Sequence, residues 1–102
     1  MCTPPSQEGL KIIRACLESG NMRTKSEDAL NYFPVYASFP DSDGIKPFDI
    51  GLNKKVQVKR LQTCLGSNTK THYSRIRIVD KSQSSLDASK DYWIRLNQLE
   101  CN

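Results

Sequence analysis

The chain has 102 residues, a mean hydropathy of −0.58, and 15 basic against 11 acidic residues, for a net charge of +4. That length supports one domain with a modest core, residues 1–102, and not two. No run approaches the roughly 18 apolar residues of a membrane helix, and the opening MCTPPSQEG lacks the basic and apolar regions of a signal peptide, so a soluble, cytoplasmic protein with no membrane partner is expected.

Pro4 and Pro5 suit the opening of a helix, where a missing N–H costs least. Thr3 or Ser6 can cap it. Between Gln7 and Ser19, Leu10, Ile13 and Leu17 recur at helical spacing, and Ile12, Ala15 and Cys16 widen the stripe. Gly20-Asn21 is a stop signal. Glu8 sits in the first turn, where a carboxylate favours the helix dipole; Glu18, Glu27 and Asp28 are further acids nearby. Residues 21–29 read as a polar loop. Tyr32 to Phe39 is aromatic and β-prone, with Pro34 favouring a strand edge. Pro40-Asp41-Ser42-Asp43-Gly44 is a turn signal.

Phe48-Asp49-Ile50-Gly51-Leu52 and Val56-Gln57-Val58-Lys59-Arg60 flank the turn-prone Asn53-Lys54-Lys55, which reads as strand, turn, strand. A three-residue loop would set Leu52 opposite Val56 and Asp49 opposite Lys59. Ile50, Leu52, Val56 and Val58 would then share one face, and Asp49, Gln57 and Lys59 the other, with Gly51 leaving space beside them. The ordinary alternative is a solvent-facing hairpin side. Gly66 to Lys70 is a polar loop. His72 to Val79 alternates, with Tyr73, Arg75, Arg77 and Val79 on one side and Ile76 and Ile78 on the other. Asp80 to Asp87 is a second loop, and Tyr92 to Leu96 a last strand anchored by Trp93.

The cysteines, Cys2, Cys16, Cys64 and Cys101, are widely spaced, and His72 is the single histidine. A zinc site needs tighter ligand spacing, so reduced, partly buried thiols are expected. Charge is uneven. Lys54 to Lys81 holds eight basic residues against one acid, Asp80. Such a block suggests a polyanion partner, most often nucleic acid.

The order of elements, with Asp49 ahead of Gln57-Val58-Lys59, resembles the PD-(D/E)XK nuclease superfamily. The similarity is to the branch whose signature reads QxK, and within it to intron-associated homing endonucleases. It spans most of residues 6–98. Phe48 stands where that family has proline, and the Asp49-to-Gln57 spacing is short. The resemblance implies an α/β (α+β), restriction-endonuclease-like fold: a mixed β-sheet with an N-terminal helix packed on it. It implies Mg²⁺-dependent hydrolysis of DNA phosphodiesters. Glu8 would be the helix acid, Asp49 the main metal ligand and the Val58 carbonyl a third. Gln57 would replace the second acid, and Lys59 would be the catalytic lysine. Lys54, Lys55, Arg60, Lys70, His72, Arg75 and Arg77 would hold double-stranded DNA. One active centre per chain implies a homo-oligomer, dimer or tetramer, for cutting both strands. The alternative is a non-catalytic basic nucleic-acid-binding domain with Asp49 and Lys59 merely ion-paired, or a small interaction module.

Overall fold

Nine residues of the N-terminal stretch form helix α1 (Gln7–Ala15) in a computed structural model that describes residues 2–16, 20–26, 32–42, 44–79 and 86–101. Leu17 to Ser19, and with them Glu18, lie outside the described residues, as do Glu27 and Asp28. Gly20 follows with φ +69, a backbone conformation that glycine adopts without steric cost, and its carbonyl accepts the Arg60 N–H at 2.8 Å.

The strands are β1 (Asn21–Thr24), β2 (Gln57–Leu65), β3 (His72–Ile78), β4 (Asp91–Arg95) and β5 (Leu99–Cys101), with a 3₁₀ turn at Leu96–Gln98 before the last. They form one sheet in the order β4-β3-β2-β1-β5. The α+β class holds, with the N-terminal helix set against the sheet. The expected mixed sheet does not: every described strand pairing is antiparallel. β2 and β3 are joined by a short connection, which suits antiparallel neighbours, whereas a parallel pair needs a crossover of a dozen or more residues. β4 and β5, though separated only by the 3₁₀ turn, lie at opposite edges of the sheet. The loop expected at 21–29 starts instead as a strand, because pairing with both β2 and β5 buries Met22 and Thr24.

One face of the sheet carries the core. Met22, Val58, Ile76, Ile78, Tyr92, Ile94 and Leu99 point into it, and Phe33, Val35, Leu52 and Val56 of the long β1–β2 connection cover it. Within that connection Phe33 pairs with Leu52, and the Phe48 N–H reaches the Val35 carbonyl at 2.9 Å. The chain crosses the sheet edge at Tyr36, which exchanges backbone hydrogen bonds with Trp93 of β4 (2.9 and 2.8 Å). Beyond it, Phe39 lies on the other face, against the rings of Tyr73 and Trp93 at 5.9 and 5.0 Å between centroids. On the core side Ile13 and Cys16 of the helical segment pack against the cluster.

The expected 48–60 hairpin is absent. β2 is a central strand, occupied on one edge by β1 and on the other by β3, so 48–52 has no free ladder to join. Leu52 faces Phe33 instead of Val56, Ile50 is 53% exposed, and Gly51 is buried against the Phe33 backbone. Buried Thr24 places the turn that begins β2. Its Oγ1 donates to the Asn53 carbonyl at 2.6 Å and accepts the Val56 N–H at 2.8 Å.

The cysteines are not reduced thiols. Cys2–Cys64 and Cys16–Cys101 are disulfides, with Cα–Cα distances of 5.1 and 4.8 Å. Strand pairing and the returning N-terminal segment bring together residues whose spacing in the chain carried no sign of it. Together the two bonds fasten both ends of the 2–16 segment to the sheet, one at β2 and one at β5. A nine-residue helix is marginal by itself in water, so this fastening matters.

The loops closed span 62 and 85 residues. Chain entropy gives each bond about 4 kcal/mol of stabilisation. We expect Cys16→Ser/Cys101→Ser to lower the denaturant-unfolding free energy by up to about that amount. Thiol titration of the unfolded, unreduced protein should find no free sulfhydryl.

Candidate nucleic-acid interface

Strand parity sorts the functional side chains. Ile76 and Ile78 face the core, so Tyr73, Arg75 and Arg77 face the other side of the sheet. Register carries this across: Lys59 lies opposite Arg77, Arg77 opposite Asp91, Asn21 opposite Lys59, and Arg23 between Gln57 and Glu100. Gln57, Lys59, Arg75 and Arg77 are therefore brought together on one outer face, with Asn21, Arg23, Asp91 and Glu100. Arg23, Asn21 and Asp91 were missed in the sequence, Arg23 and Asn21 because their four-residue strand is too short to show alternation.

On this face Arg23 Nε donates to Glu100 Oε1 at 3.1 Å, and Arg77 Nε donates to Asp91 Oδ1 at 2.9 Å. Asp91 also lies 3.8 Å from Arg75 Nη1, while Arg75 Nε is buried with no hydrogen-bond partner. Lys59 makes no ion pair among the described residues. Arg23, Lys59, Arg75 and Arg77 thus share two carboxylates, with Arg95 further along the same face, and Lys59 and Arg77 stand directly across from each other on neighbouring strands. Like charges so placed are destabilising.

The remaining candidates do not join this group. Asp49 is exposed at a bend of the long connection, and among the described residues no ion pair joins it to Lys59. Glu8 lines a cleft with His72, which pairs with Leu65 at the far end of β2. Lys59 is six residues along the strand from Leu65, about 20 Å at the usual rise. Val58 is paired on both sides, so its carbonyl lies in the sheet plane and belongs to the ladder. Arg60 is half-buried with the opposite parity, opposite Ile76, and its Nη1 reaches Thr63 Oγ1 at 3.4 Å. Lys54 and Lys55 occupy the turn entering β2, at the Gln57 end; Lys70 and His72 sit at the other end. No cluster of three or more His, Cys, Asp or Glu side chains suited to a metal occurs among the described residues. Glu8, Asp49 and the Val58 carbonyl do not converge, so they do not fit a shared Mg²⁺.

At that far end His72 is fixed from the helix. The Ser6 N–H donates to Nε2 at 3.1 Å, and Ser6 Oγ is 3.0 Å from the same nitrogen. With Nε2 accepting, the hydrogen-bond network assigns the ring proton to Nδ1. The ring fills the space where Gly9 has no Cβ; an added one would stand 2.6 Å from Nε2. Nearby, buried Asp41 organises the 66–70 turn. Its Oδ1 accepts the N–H groups of Asn68 and Thr69 and the Thr69 hydroxyl, each at 3.1 Å, and Oδ2 accepts from Ser67 at 3.3 Å. Gly66 leaves room for that carboxylate, which a Cβ would strike.

No protein-family model, curated protein or solved structure matches the chain.

Burial pushes the Asp41 carboxyl up, but the hydrogen bonds from Thr69, Asn68 and Ser67 outweigh it and hold the group below its ordinary 3.8. A depressed folded-state value means stability that is present above pH 3.8 and lost as pH falls through the lower folded value. We expect Asp41→Asn to destabilise the protein at neutral pH and to flatten its acid-unfolding curve below that point, as followed by circular dichroism.

Proposed function

We propose that the chain is a non-catalytic, basic nucleic-acid-binding domain whose outer sheet face holds backbone phosphates. The observation that carries this is the Lys59–Arg77 pair. Arg77 is paired with Asp91, which Arg75 also approaches, and Lys59 across from it has no ion pair among the described residues. Two cations on adjacent strands, with Gln57 and Asn21 beside them, thus share one carboxylate and carry an excess positive charge that a phosphate relieves. Arg75 and Arg23 extend the positive surface along β3 and β1, and Lys54 and Lys55 stand at its edge. Contacts of this kind give affinity without sequence information. The Mg²⁺-dependent endonuclease reading needs an acid beside Lys59. Asp49 and Glu8 are both elsewhere, so no hydrolytic step is assigned to this face. The two disulfides also favour an oxidising compartment over the cytoplasm, and no helix among the described residues is long and apolar enough to cross a membrane.

Fluorescence anisotropy with a labelled DNA duplex tests the reading. Wild type should bind at low salt, and Lys59→Ala should reduce the slope of log affinity against log salt by about 1. Lys59→Glu/Arg77→Glu should abolish binding, while Lys11→Glu, an exposed change on the helix, should not. Unchanged binding by the double variant would overturn the proposal. Plasmid nicking in Mg²⁺ that disappears in both Lys59→Ala and Asp49→Ala would replace it with the nuclease.

A further inference from the structure

A cleft of about 260 Å³ lies between α1, the 66–72 segment and the 3₁₀ turn, away from the basic face. Glu8 and Lys70 both line it. Among the described residues no ion pair joins them, and neither side chain pairs elsewhere. Ile12, which is exposed, supplies apolar surface, and Thr71 and Asn97 supply polar groups; Leu96 lies buried beneath the floor. Opposite charges facing one cleft without touching leave room for a ligand that carries both complements.

The walls are fixed by contacts already described. Lys70 has φ +56, a left-handed conformation uncommon for a residue with a side chain. It is kept there by the turn that Asp41 clamps and by its own N–H, which donates to the Gly66 carbonyl at 2.9 Å. His72 is held by Ser6 and seated over Gly9. Such preorganisation lowers the cost of binding a small ligand.

We infer that this cleft binds a free α-amino acid with an aliphatic side chain. The ligand carboxylate meets Lys70, its ammonium meets Glu8, and its side chain rests on the exposed face of Ile12. The volume falls below the roughly 300–1,000 Å³ of sites for drug-sized molecules, which limits the ligand to about one residue. A simple anion is repelled by Glu8 and a simple cation by Lys70, so the paired charges supply specificity as well as attraction. The site is separate from the phosphate-binding face, and each stands or falls without the other.

The test is an NMR titration of the ¹⁵N-labelled, disulfide-intact chain with L-leucine, N-acetyl-L-leucine, L-leucinamide and leucyl-leucine. Leucine should give saturable amide shifts at Glu8, Lys70, Thr71, His72 and Asn97. N-acetyl-leucine, which lacks the ammonium, and leucinamide, which lacks the carboxylate, should bind at least tenfold more weakly. Glu8→Gln and Lys70→Gly should each lose the response while keeping a dispersed spectrum; glycine suits the backbone at position 70. The absence of saturable shifts with leucine overturns the inference, as does an equal response to all the probes. Tighter binding of leucyl-leucine would also overturn it, in favour of a peptide end.

Discussion

β2 is paired along both edges, and that double pairing decides where every other element can go. With β1 on one side and β3 on the other, the strand's N–H and C=O groups are spoken for. Phe48 to Leu52 is therefore excluded from the sheet and folds back on Phe33 and Val35 as a cover for the core. Alternation along β2 then turns Val58 inward and Gln57 and Lys59 outward, and the registers with β1 and β3 bring Asn21 and Arg77 alongside. The charged face is a consequence of sheet order more than of any local motif.

The remaining architecture is held by links between segments far apart in the chain. Neither terminal piece has enough apolar surface to stay put alone: α1 offers mainly Ile13 to the core, and β5 is three residues long. The disulfides compensate by closing long loops. Buried polar groups do similar work at short range. Thr24 fixes the entry to β2, Thr63 and Ser74 satisfy each other across β2 and β3 at 2.8 Å, and Asp41 collects the donors of a whole turn. Each would otherwise be an unsatisfied group at measurable cost.

Much of the element pattern was legible. The helix stripe from Leu10 to Ile13, the alternation of His72 to Ile78, the Tyr92–Trp93–Ile94 strand and the turn at 66–70 all follow from periodicity and turn chemistry; the helix itself ends at Ala15, before the stop expected at Gly20. What periodicity reports is which side of an element is apolar. It does not report which strand lies beside it. Leu52 and Val56 look like partners across a tight turn, yet each is buried against something else, and so the aspartate expected beside Lys59 is elsewhere. Disulfide pairing was illegible for a related reason: four cysteines allow three connectivities, and sequence spacing does not choose among them. The seat of His72 depends on Ser6 and Gly9, more than sixty residues earlier, and no local signal marks it.

The bulge in β2, where register slips between Arg60 and Gln62, has a geometric consequence for the outer face. It inverts the phase of the strand, so that odd-numbered Lys59 and even-numbered Cys64 emerge on the same surface. Lys59 opens onto solvent, whereas Cys64 lies beneath its bridge to Cys2, next to Tyr73 and the overlying Phe39. The charged ground is therefore walled at one end. Any partner laid lengthwise down β2 would run into that wall.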